Sequence, residues 1–199
     1  GMATVAAVYN LLPGSETVFN IAVPLNGKKN HILNQVNYFV RGSGDDLWNW
    51  ALRQHCKLDL PFGKIQYIYD AAVRSVILHS PAEIYPGPFT YKRFWFRDAA
   101  LILNAILSIG LIKRAEKVID GFFARQTAFG YFHSQEGEWD SNGQVLWIMN
   151  RYCQITRTKP KEEWFRPIIK GARWIIRKRL PADSNTPTAG LLPAGFSAE

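Results

Sequence analysis

A chain of 199 residues with 47% apolar content has the size of one globular domain, or of one domain with an arm. Its net charge of +8 gathers late, at Lys159, Lys161, Arg166, Lys170, Arg173, Arg177, Lys178 and Arg179; with no nucleic-acid motif beside it, this stripe reads as a solvated helix face, and no nucleic-acid partner is expected. No segment is long and apolar enough for a membrane span, Cys56 and Cys153 read as reduced core thiols, and the scattered His31, His55, His79 and His133 offer no metal or cofactor site.

Residues 3–41 lack a helical period. Glu16–Leu25 alternates in part, Val23-Pro24 marks an edge or an exit, Asn26-Gly27 signals a turn, and His31–Val40 reads as a second extended piece. Gly42-Ser43-Gly44 then breaks the chain. Residues 1–44 are therefore expected to form an N-terminal arm or the end of a preceding β domain. Asp45 and Asp46 can start a short helix through Trp48, Trp50 and Leu52, since carboxylates suit a helix N-terminus.

From residue 64 the pattern is helical throughout. Ile65, Ile68, Tyr69, Ala72, Val73, Val76 and Ile77 trace one face of a helix over 64–79, which Ser80-Pro81 stops. After the stiff loop Tyr85-Pro86-Gly87-Pro88, the aromatic run Phe89 to Phe96 leads through Arg97 and Asp98 into a helix over 98–109. Only Asn104 and Ser108 interrupt its apolar residues from Ala99 to Ile109, so this helix is expected to be buried on all sides. Gly110 stops it. A helix over 111–127 is amphipathic again, with Leu111, Ala115, Val118, Ile119, Phe122 and Phe123 on one face. The polar loop from Gly130 to Asn142 precedes a more apolar helix over 143–156. A last amphipathic helix covers 161–180, and residues 181–199 read as loop.

The expected fold class is all-α. Amphipathic helices alternate with more buried ones, and the long connections, rich in aromatic and acidic residues, always lead into the buried helices. That asymmetry fits a two-layer toroid of helical hairpins, with the N-terminal ends of the inner helices sharing one face. Hairpins of this kind need neighbours to bury a core.

Phe94-Trp95-Phe96-Arg97-Asp98-Ala99 before one inner helix, and Glu138-Trp139-Asp140-Ser141-Asn142-Gly143-Gln144 before the next, together resemble the six-hairpin glycosidases of the glucoamylase, trehalase and glycogen-debranching types. The likeness covers about residues 64–199, with motif-level agreement in those two loops alone. It implies a partial six-hairpin domain over 45–199 and an oligo- or polysaccharide substrate, with inverting hydrolysis of an α-glucosidic bond in the parent enzyme. It implies no cofactor. By the same resemblance Arg97 and Asp98 bind sugar hydroxyls, Trp95 is a stacking wall, and Trp139, Asp140 and Gln144 line the same pocket. A carboxylate and a guanidinium suit vicinal hydroxyls as acceptor and donor, and indole faces suit sugar C–H faces.

The chain reaches only the loop after its fifth helix of the toroid, so the catalytic acid and base are not assigned. Asp98, Glu136, Glu138, Asp140 and Glu199 are the carboxyls at hand. Inner helices left without neighbours imply self-association through their exposed faces. The plainer reading makes Arg97 and Asp98 a helix-capping pair, and Trp95 and Trp139 ordinary core. Two other classes stay open: a non-catalytic carbohydrate-binding or scaffold protein on the same pocket, and a helical-toroid transferase or cyclase, whose zinc forms need clustered Cys and His.

Overall fold

The computed structural model describes residues 8–17, 44–87, 90–183 and 185–196. The extended pieces expected at Glu16–Leu25 and His31–Val40 lie outside these residues except for Glu16 and Thr17, as do Phe89 and Glu199. The chain divides into two compact units, Gly1–Arg53 and Gln54–Glu199. The first unit holds a turn at Leu12–Ser15, closed by the Ser15 N–H on the Leu12 carbonyl at 3.0 Å, and helix α1 at Gly44–Leu52 with Asp45 and Asp46 in its first turn.

The second unit is helical: α2 at Gly63–Leu78, α3 at Phe96–Ser108, α4 at Ile112–Phe122 with a short 3-10 turn at Phe123–Arg125, α5 at Ser141–Thr156 and α6 at Glu162–Lys178. Six α-helices and no strand occur among the described residues, an all-α architecture. None of these helices is long and apolar enough to cross a membrane. Helices α3 and α5 lie along each other, α4 packs on both, α6 packs on α5 and α2 on α3. Helices α3 and α5 run parallel: Arg97 meets Asp140 at their N-terminal ends, and Arg151 donates to the Asn104 side chain at 3.3 Å further along both helices.

The pattern behind this arrangement is physical. On α4 the residues spaced by three and four, Ala115, Val118, Ile119 and Phe122, are all buried, which is how an amphipathic helix meets a core. On α3 Phe96, Ala99, Ala100, Leu103, Ile106 and Leu107 are buried, but Leu101 is 58% exposed. The expectation of a helix buried on every side is therefore corrected: α3 has one open stripe, and on α5 Trp147 is also exposed. Both cysteines are free, yet Cys56 is exposed and only Cys153 is half-buried, a further correction to the reading as core thiols.

Aromatic rings lock the helices near the N-terminal end of α3. Phe96 meets Phe94, Phe122 and Phe132 edge to face at 4.9, 5.2 and 5.6 Å between centroids, the offset geometry that ring quadrupoles favour. Trp164 is fully buried against Phe123 and Tyr152, and its indole N–H donates to Asp120 Oδ1 at 2.7 Å. The loop before α5 is tied down by Gly130, at φ +98°, where any Cβ would run into the Lys170 carbonyl. Asn142 is buried beside it. Its amide donates to the Gly130 and Gly171 carbonyls at 2.8 and 3.0 Å, and its carbonyl accepts the Phe132 N–H at 2.8 Å.

Candidate functional site

Because α3 and α5 are parallel, the two loops that lead into them meet at one end of the bundle. Arg97 and Asp98 fall within the first turn of α3, and Asp140 is the N-cap residue of α5. Asp140 does not cap its own helix. Its carboxylate turns to Arg97 instead, whose Nε and Nη2 donate to the two oxygens at 2.8 and 3.0 Å. This is the bidentate fork that a guanidinium and a carboxylate form best. The pair is half open to solvent, with side chains 41% and 39% exposed.

The electrostatics follow from the contacts. The bond to Asp140 raises Arg97 above its ordinary range. Burial pushes Asp140 upward, but the hydrogen bonds and charge of Arg97 outweigh it, with help from the nearby Gln144 amide, so its carboxyl sits below the ordinary Asp value. A carboxyl depressed in this way contributes stability that is present above the unfolded value and lost as pH falls through the folded one. Asp98 makes no hydrogen bond among the described residues and is half-buried. Its charge is felt by Arg97.

Glu138 is different in kind. It is buried, its Oε1 accepts the Arg97 backbone N–H at 3.2 Å, and its Oε2 is held by the Ser134 hydroxyl. Burial raises its carboxyl, against the opposing pull of those two donors. Among the described candidate carboxyls, Asp98, Glu136, Glu138 and Asp140, it is the one that solvent does not reach, a fact no spacing in the chain discloses.

The aromatic residues are less alike than the sequence implied. Trp95 holds the N-cap position of α3, half-buried, with the Arg93 guanidinium 5.4 Å over its ring. Trp139 is already engaged. The Lys178 ammonium lies 3.7 Å from its ring centre, Tyr131 and Trp174 pack beside it at 5.6 and 6.2 Å, and its indole N–H donates to the Ala194 carbonyl at 3.0 Å. Residues 194–196 thus close over the Glu138-Trp139 turn, where the Phe196 N–H also meets the Gly137 carbonyl at 2.8 Å. The structure therefore brings Arg97, Asp98, Asp140 and Gln144 to one corner, and turns the Trp139 ring to a different set of partners. Among the described residues no group of three or more His, Cys, Asp or Glu is placed to hold a metal ion.

Tyr131 ties the loop from within. Its hydroxyl donates to the Gln135 carbonyl at 2.8 Å and approaches that of Glu138 at 3.3 Å, and its ring stacks on Trp174 at 4.6 Å. The Ser141 hydroxyl is buried with no hydrogen bond of normal geometry, near enough to Tyr131 to be felt by it. Burial and the charges of Glu136 and Glu138 push Tyr131 up to about 12 from an ordinary 10. A raised value means stability that is complete below the unfolded pKa and lost as pH climbs through the folded one. The native state is expected to lose about 2–3 kcal/mol through this residue as pH climbs from the unfolded to the folded value. Urea unfolding across that range should show a shallower alkaline decline in Tyr131→Phe; the same slope in both proteins would contradict it.

The chain matches no family model, and no curated protein or solved structure matches it.

Proposed function

We propose that this chain is the front part of a six-hairpin glycosidase-type domain and that the Arg97–Asp140 corner, with Asp98 beside it, binds one hexose unit of an oligo- or polysaccharide. The observation that carries the reading is the guanidinium–carboxylate fork joining the N-terminal ends of two parallel helices, half exposed, with the Asp98 carboxylate, which has no hydrogen-bond partner among the described residues, next to it. Two of the five guanidinium N–H groups of Arg97 go to Asp140, and the others are donors for a sugar oxygen. The spare lone pairs of Asp98 and Asp140 supply acceptors for adjacent hydroxyls. Trp95 supplies the apolar wall. Trp139 and Gln144 act behind the corner, Trp139 through its packing and Gln144 on Asp140.

Hydrolysis needs two carboxyls, roughly 5–5.5 Å apart for retention and roughly 6.5–9.5 Å for inversion. Asp140 is committed to Arg97 and Glu138 is buried, so neither is assigned as acid or base. The chain's part in the proposed glycosidase is recognition of the sugar. The fork between Arg97 and Asp140 is complete without a ligand, which favours the second reading, a non-catalytic carbohydrate-binding or scaffold protein.

The direct test is calorimetric titration of the chain with maltotriose, with cellotriose as a control of the other linkage. Saturable heat with maltotriose supports the proposal. Absence of heat with both sugars at their solubility limits leaves the scaffold reading.

A further inference from the structure

Helix α3 starts without a cap of its own. Its N-cap residue is Trp95, and no side-chain cap bond is formed there, although the start of a helix leaves four amide N–H groups without intrahelical partners. Glu138 supplies an acceptor from the next hairpin, taking the Arg97 N–H at 3.2 Å while Ser134 holds its other oxygen. A carboxylate suits this place because the N-terminal end of a helix carries partial positive charge. At 1% exposure the group meets no ligand, so it acts through what it holds. It holds the main chain of the residue whose guanidinium grips Asp140, two positions along Glu138's own turn. One loop therefore grips Arg97 twice, by backbone and by side chain.

We infer that Glu138 is the positioning residue of this corner: it anchors the Arg97 main chain to the 134–140 turn, so that guanidinium and Asp140 carboxylate are held in one geometry before a sugar arrives. The inference rests on the saccharide reading for its purpose, and its test separates the two. An exposed ion pair by itself is weak and pays side-chain entropy to stay formed. A buried anchor below it removes that freedom, and a site ordered in advance spends less of its binding energy on ordering. Burial without bonds would expel the carboxyl; its two donors are what keep it there. Glu138→Gln preserves the shape, an acceptor for the Arg97 N–H and a donor for Ser134, whereas Glu138→Ala removes all three.

The experiment reads the Arg97 Nε–Hε signal by nitrogen–proton correlation NMR of the whole chain, identified by its absence in Arg97→Lys. In the unaltered protein and in Glu138→Gln the signal is expected away from the free-arginine position and slow to exchange with water. In Glu138→Ala it is expected at the free-arginine position, with maltotriose binding weakened about tenfold. Should Glu138→Ala not fold, Ser134→Ala takes its place, since it lets the carboxyl turn while the volume stays filled; its Arg97 signal is expected to broaden and exchange faster. An unchanged signal in Glu138→Ala, or in Ser134→Ala if the first does not fold, overturns the inference, as does loss of the signal in Glu138→Gln. If the unaltered chain binds no maltotriose, the saccharide reading fails, and the NMR comparison still decides whether Glu138 positions Arg97.

Discussion

Asn142→Ala is expected to destabilise the helical unit by about 2–4 kcal/mol, a large part of the stability of an ordinary domain. The side chain is small, so lost apolar burial contributes little. What counts is the buried Phe132 N–H, left with no acceptor, and the Gly130 and Gly171 carbonyls, each of which loses one of its donors; Gly130 keeps the Gln126 side chain at 3.3 Å and Gly171 its place in the α6 ladder. A net hydrogen bond is worth about 1 kcal/mol, but each buried group left unsatisfied costs about 1–3 kcal/mol. Asn142→Asp should do no better: it returns the acceptor but sets a buried carboxylate against two carbonyl oxygens. Urea midpoints of the three proteins decide the matter. A loss below about 1 kcal/mol in Asn142→Ala would mean that water enters and replaces the amide, and that the loop is less tightly closed than its contacts imply.

Asp98→Ala is expected to weaken saccharide binding by about 10- to 100-fold while changing stability little, because a hydrogen bond to a charged group is worth about 1.5–3 kcal/mol. Asp98 is the cleaner probe of the corner than Arg97. It has no hydrogen-bond partner among the described residues, so its removal strands nothing. Removing Arg97 leaves Asp140 without its fork, and the loss then mixes ligand binding with disruption of the corner. Arg97→Lys keeps the charge but not the two parallel donors. It is expected to fall between the unaltered protein and Asp98→Ala in affinity, and below both in stability. Calorimetry with maltotriose, paired with thermal unfolding of each variant, separates the two effects. Unchanged affinity in Asp98→Ala would remove that carboxylate from the site.

How far the sequence could be read depended on whether a feature was local. The stripes of α2 and α4 were legible because spacing by three and four carries its own geometry. The stops at Gly110 and Ser80-Pro81 were legible because glycine and proline restrict the chain where they stand. In the sequence Asn142 ends a polar loop and belongs to the Glu138–Gln144 motif; its partners are main-chain groups at 130, 132 and 171, and no residue type marks them. The fork between Arg97 and Asp140 joins residues in different hairpins. Each was singled out alone, as a sugar ligand, and nothing in one sequence says that they bond to each other. Glu138 is one spare carboxyl among several in the sequence, because burial, not identity, sets it apart. Trp139 was expected to line the pocket, and the cation that lies over its ring comes from the far end of α6. The open stripe at Leu101 is illegible for the opposite reason: composition does not mark which side of an apolar helix lacks a neighbour.

The last described segment bears on how a molecule could come and go. Gly137 takes φ +86° and has no room for a side chain, since a Cβ there would sit 2.8 Å from that of Phe196; the indole N–H and the Gly137 carbonyl are both spoken for by residues 194–196. Displacing the Trp139 ring would mean prising off that segment and breaking both of those hydrogen bonds at once. Under the saccharide proposal the Trp139 flank is latched, so a sugar would have to be held by Arg97, Asp98 and Asp140 without the help of that ring.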